Sequence, residues 1–163
     1  MPSILSDIVE VCVFKNAGPR RRYLALKRSE DDALYPGIWQ LVTGMIADDE
    51  HAAAAALREV GEETGLTALR LWRLPHVNSF YDHVRDVVHL CPNFAVEVAE
   101  NSDPRLSSEH SSHEWCSLER AVHLLPWSGQ RTSVNIVDAR IIAGTDEAAL
   151  LEIPLQELER KLE

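Results

Sequence analysis

An α/β domain built on a mixed sheet is the fold class this chain predicts, and three observations carry it. Short β-branched or alternating apolar runs take turns with segments of helical period. No internal repeat, low-complexity tract or Pro/Ser-rich linker divides the 163 residues into parts. A chain of that length buries roughly two thirds of the surface its unfolded form exposes, enough for one core without staples.

In chain order, residues 8–14 and 22–28 flank KNAGPRR, a Gly-Pro turn segment, and read as an antiparallel hairpin. After the loop SEDDALYPG, residues 38–43 form a short apolar strand that delivers the chain at Gly44 into a helix. Asp48 or Asp49 is placed to cap that helix, and Gly65 to end it in the left-handed conformation. Strands follow at 69–74, 87–98 and 114–116, with Pro92 marking an edge or a bulge in the second. Ser117 caps a helix over 117–125, and 129–143 is another, with Val134, Val137 and Ile141 on one face. The last helix covers 154–162 and starts with Pro154 at its first position.

Composition narrows the partners. Cys12, Cys91 and Cys116 are odd in number, scattered and set among apolar residues, so neither a disulfide framework nor a zinc spacing is legible and a reducing, cytoplasmic setting is expected. The opening MPSILSDIVE has no basic stretch followed by a long apolar one, and no run approaches the ~18 apolar residues of a membrane span; a soluble protein is expected. A formal net charge of −10 argues against duplex nucleic acid, whose nonspecific binding needs clustered Lys and Arg. A small polyphosphate chelated by a metal suffers less from that charge. Oligomeric state stays open between a monomer and a homodimer.

The helix between Gly44 and Leu66 is the most informative segment. At 3.6 residues per turn, Glu59, Glu62 and Glu63 fall within about a third of the circumference, and Ala53, Leu57, Val60 and Thr64 fall opposite. Like charges three and four residues apart repel, so a cation is expected beside them. Hard carboxylate oxygens suit Mg²⁺ or Mn²⁺, which keep several waters and fill their remaining positions with substrate phosphates. Metal-assisted phosphoryl transfer is the chemistry implied.

The same residues match the Nudix box. Five residues separate Gly44 from Glu50 and seven more precede Arg58, after which Glu59, Val60, Gly61, Glu62, Glu63, Thr64, Gly65 and Leu66 complete it. The chain thus resembles the Nudix hydrolases, and the resemblance implies their α/β/α sandwich, with a mixed sheet between helices. Outside the box, WQLVTG at 39–44, the Glu109-His110 pair six residues before Trp115, and Trp127-Ser128 resemble the dihydroneopterin triphosphate, or dATP, pyrophosphohydrolases.

That resemblance implies Glu59, Glu62 and Glu63 as metal ligands, Arg58 as the residue orienting its neighbouring carboxylate, and Glu50 as its charged partner. Glu109 is implied as a further ligand or as the general base. His110 and His113 read as structural or substrate-adjacent. Gly44, which opens the box, Arg28, Trp39 and Tyr81 are the candidate substrate contacts: Arg28 for terminal phosphates, Trp39 or Tyr81 for stacking on a flat heterocycle. The reaction implied is hydrolysis of a P–O–P bond in a (deoxy)nucleoside or dihydroneopterin triphosphate, with pyrophosphate released. Two other readings stay open: a house-cleaning hydrolase of oxidised nucleotides or dinucleoside polyphosphates, and a noncatalytic nucleotide sensor.

Overall fold

The strand-helix alternation of the sequence folds into three layers in a computed structural model that describes residues 1–159. Among them, β1 (Ser3–Leu5), β2 (Ile8–Lys15), β3 (Arg22–Arg28), β4 (Trp39–Gln40), β5 (Val42–Met45), β6 (Arg70–Asp82), β7 (Val87–Glu97), β8 (His110–Cys116) and β9 (Glu152–Ile153) share one sheet. Its main path runs β4-β3-β2-β7-β6-β9, with β5 beside β2, β8 beside β3 and β1 beside β7. β7 runs parallel to β1 and β2 and antiparallel to β6, so the sheet is mixed.

Helix α1 (Ala52–Thr64) covers one face of the sheet, with α5 (Leu155–Glu159) packed beside it. The other face carries α2 (Leu118–Leu124), α3 (Ser128–Ile136), its π-helical continuation Val137–Ile142, and α4 (Asp146–Leu151). β2 alternates between the two cores, sending Val9, Val11 and Val13 toward α1 and Cys12 and Phe14 the other way. A strand covered on both faces has no solvent side to keep polar, which is why IVEVCVFK is almost continuously apolar.

The hairpin, the strand over β7 and the helix capped by Ser117, whose hydroxyl accepts from the Arg120 N–H, follow the sequence. Val134, Val137 and Ile141 are buried together as expected. Residues 38–43 do not make one strand: the chain leaves β3 after Gln40 and joins β2 from Val42, and the Leu41 N–H between them goes to Gln130 Oε1 at 3.1 Å. β6 continues eight residues past Leu74 to Asp82, through PHVNSFYD, whose solvent-facing half lacks the apolar alternation that marks a strand. Pro92 sits where β7 changes neighbour from β1 to β2, opposite a register shift in β6 between Arg73 and Val77.

Neither Asp48 nor Asp49 caps α1. The helix begins after His51, without a side-chain cap, and Asp49 is in a left-handed turn at φ 61°. Gly65 does end it, at φ 65°, with its N–H on the Gly61 carbonyl at 2.8 Å. No pattern in the sequence announces β1, α4 or β9, each six residues or shorter. The C-terminal helix starts one residue after Pro154, and 160–162 of its expected span lie outside the described residues.

All three cysteines are free and buried; burial pushes the Cys91 and Cys116 thiols up to about 12. No helix among the described residues is long and apolar enough to cross a membrane.

Two glycines of α1 give opposite expectations. A Cβ on Gly61 meets nothing within 4 Å, so Gly61→Ala raises stability by about 0.5–1 kcal/mol through backbone entropy. Gly65→Ala, forced to positive φ, lowers it by about 1 kcal/mol. Urea denaturation midpoints, shifting in opposite directions, check both.

Candidate active site

Arg58 organises this site. Its Nε donates to Glu50 Oε1 at 2.8 Å, and Nη2 to Glu50 Oε2 and to the Met45 carbonyl, both at 2.8 Å. Nη1 donates to Glu59 Oε1 at 2.7 Å and to Glu62 Oε2 at 3.0 Å. A guanidinium has five N–H donors, and all five are used. The fork holds Glu50 in bidentate geometry, and Glu50 Oε2 also accepts the Ala47 N–H at 2.9 Å. Hydrogen bonding from Arg58, then from Ala47, holds the Glu50 carboxyl down at about 2.

Glu59 lies across Gly44 of β5, so closely that a Cβ there would overlap its carboxylate; only glycine leaves this room. Burial pushes the Glu59 carboxyl up, opposed by Arg58. Glu63 is buried too, and burial likewise pushes it up, opposed by the hydrogen bond from His110 Nε2 to its Oε2 at 2.9 Å. Glu62 alone of the three points outward, its side chain 60 % exposed. The expected separation of a charged face from a packing face holding Val60 and Thr64 is therefore corrected. Ala55, Ala56, Glu59, Val60, Glu63 and Thr64 form one buried stripe, because positions four apart stack on one side and the alanines let the helix approach the sheet.

The chain before β8 is clipped to the end of α1. Arg105 N–H donates to the Thr64 carbonyl at 2.7 Å and Ser107 N–H to the Glu63 carbonyl at 3.1 Å. Ser29 N–H holds the Glu109 carbonyl at 2.8 Å. Ligand-capable atoms of Glu63, Glu109 and His110 consequently lie within 4.8 Å of one another. The charge of Glu109 acts on both Glu59 and Glu63, and that of Glu62 on Glu59. Glu59 and Glu62 thus share one guanidinium with Glu50, while Glu63 and Glu109 gather beside them against His110. A set of hard oxygens carrying excess negative charge, two of them in partly dehydrated positions, fits a divalent cation such as Mg²⁺ or Mn²⁺.

Arg28 reaches the same end of the sheet, in β3 opposite His110. It pairs with Asp32, whose carboxyl is held at about 2 by that bond first, and touches Gln40 Oε1 at 3.4 Å, while its Nε is buried without a partner. Trp39, paired with Lys27, is half-buried and packs against the core of the α3 side. Tyr81 is not brought to the glutamates. It stands at the tip of the β6–β7 ribbon, donating to Asp86 Oδ1 at 2.8 Å.

Sequence reasoning missed Glu10 and Gln130. Glu10 is buried on the α3 side and accepts from Asn78 Nδ2 and from Gln130 Nε2 at 3.1 Å. Gln130 thereby fixes the backbone at Leu41, just ahead of Gly44. No local pattern announces these residues, since their partners lie 68 to 120 positions away.

A family model described as NUDIX domain matches residues 7–138. Among curated relatives, a Myxococcus xanthus octanoyltransferase is 35% identical over 134 residues, covering 78% of this chain, but the chain spans only 35% of that relative's length. The nucleoside triphosphatase NudI of Escherichia coli O81 is 26% identical over 62% of this chain and 77% of its own. Among solved structures, a Listeria monocytogenes protein described as a NUDIX hydrolase superposes with a TM-score of 0.71 at 26% identity, covering 83% of this chain and 94% of that one. The Escherichia coli dihydroneopterin triphosphate pyrophosphohydrolase superposes at 0.66 over 83% and 99% at 22% identity, a likeness of fold.

Replacing the fork by a single ammonium tests its role in holding the site together. Arg58→Lys keeps the charge but cannot serve Glu50 in bidentate fashion and Glu59 at once, so unfolding free energy falls by about 1–2 kcal/mol in urea titrations.

Proposed function

Because the chain belongs to the NUDIX domain family, we propose that it is a metal-dependent pyrophosphohydrolase acting on a (deoxy)nucleoside or dihydroneopterin triphosphate and releasing pyrophosphate and a monophosphate. One observation carries this reading: Glu59, Glu62, Glu63 and Glu109 converge beside a strand where Gly44 makes room for the Glu59 carboxylate. A bound Mg²⁺ or Mn²⁺ would make a water more acidic and offset the charge that builds as the anhydride breaks.

The chain's own groups supply the rest. Glu59, Glu62 and Glu63 would hold the cation from α1, and Arg58 keeps the first two in fixed rotamers so that little reorganisation is needed. Glu109 reaches the same place from its loop, as ligand or as acceptor of the water's proton. Arg28, with its unpartnered Nε, is assigned to the phosphate end and Trp39 to the heterocycle, while the room at Gly44 is taken up by the Glu59 carboxylate. Tyr81 is left out of that assignment because of its distance along the ribbon. The triphosphate reading is supported by the WQLVTG and Glu109-His110 motifs and by the likeness to a nucleoside triphosphatase.

Glu62→Gln keeps shape and removes charge from the one exposed box glutamate, so turnover falls by about two orders of magnitude or more with an unchanged circular dichroism spectrum. A panel of dATP, dihydroneopterin triphosphate, oxidised nucleotides and dinucleoside polyphosphates, run with Mg²⁺ in ¹⁸O-water and read by mass spectrometry, tests the whole reading. Pyrophosphate from a triphosphate is the expected product, abolished by EDTA. Binding without turnover across the panel overturns the enzyme in favour of a sensor.

A further inference from the structure

His110 is the residue outside the box that touches a box glutamate most intimately. Its side chain is 1 % exposed and that of Glu63 4 %. Nε2 lies 2.9 Å from Glu63 Oε2, while Nδ1 is buried with no partner. An imidazole carrying one proton has one donor and one acceptor nitrogen. A buried N–H left unmet costs more than an unmet lone pair, so the proton belongs on Nε2, where Glu63 accepts it.

The backbone goes out of its way to put His110 there. In the β3–β8 ladder, Lys27 faces Ser112 but Arg28 faces His110, so Ser111 is an extra residue on β8. Side chains alternate across a strand, and one added residue reverses the alternation beyond it. His113 pairs with Leu26, which belongs to the α1-side core. Without the bulge, His110 would fall on the opposite face of the sheet. With it, His110 turns back toward α1 and Glu63, and the Ser111 hydroxyl closes the irregularity by donating to the Arg28 carbonyl at 3.4 Å.

We propose that His110 is a positioning residue, whose Nε2–H holds one oxygen of Glu63 so that the other is left for a divalent cation, while the same backbone sets Glu109 beside it. The inference rests on the reading that these glutamates bind such a cation. It assigns His110 no place in the coordination sphere, although its ring is close enough to be mistaken for a ligand. An outer hydrogen bond of this kind fixes the rotamer of a ligand and is worth about 10–100-fold in metal affinity.

Two amide variants separate donor position from size and polarity. In H110Q the amide N–H reaches about as far as Nε2; in H110N it stops near Nδ1. Titration of the full chain with Mn²⁺ alone, followed by electron paramagnetic resonance, is expected to give an affinity about 10–100-fold weaker in H110N and close to the unsubstituted protein in H110Q. Pulsed measurements on the unsubstituted protein are expected to show no directly coordinated ¹⁴N, a readout that needs no variant to fold. Equal Mn²⁺ affinity in H110N and the unsubstituted protein, equal loss in both amides, or a coordinated ¹⁴N signal overturns the assignment. Absence of Mn²⁺ binding in the unsubstituted protein overturns the underlying metal reading, and this assignment with it.

Discussion

Carboxylates crowd together only where something positive holds them, and here that is Arg58. A helix that carries Glu59, Glu62 and Glu63 within two turns repels itself, and burying two of the three adds the cost of lost hydration. Arg58 offsets part of both by donating to two carboxylates of its own helix, a third ahead of it and the backbone carbonyl of Met45 at the end of β5. Lysine, a point charge with one nitrogen, has no way to span these oxygens. Glu50 saturates one edge of the guanidinium and so leaves Glu59 and Glu62 only partly neutralised, which is the condition for them to attract a second cation.

The arrangement depends equally on what is missing at Gly44. The carboxylate of Glu59 occupies the space of a side chain at the strand end, so the helix can pack its alanines against the sheet while its charged groups pass the edge. Packing and chemistry thus share one surface of α1. Val60 and Thr64 are buried on the same stripe as Glu59 and Glu63.

Much of this is legible in the sequence, and the reasons differ by element. The 8–14 and 22–28 strands and the 129–143 helix announce themselves because each buries a regular set of apolar side chains. The box is legible through fixed spacing of charged residues. Periodicity does not foretell that Glu59 and Glu63 share the buried side with Val60 and Thr64, since what admits these carboxylates is a glycine on one strand and a histidine on another. The far half of β6 is a strand by virtue of its ladder with β7, and backbone pairing leaves little trace in side-chain pattern when one half of a ribbon faces water. His110 turns on a single extra residue, invisible without its partner strand.

Gln130 has a consequence for how the two faces of the sheet relate. Its carbonyl oxygen takes the one strand N–H freed where the chain passes from β3 to β2, and its amide nitrogen lies on buried Glu10. The helical layer on the far side is therefore fastened to the peptide three positions ahead of Gly44. Sliding α3 over the sheet would stretch that bond, so the far helical layer and the strand that seats Glu59 are tied to each other through a single buried amide.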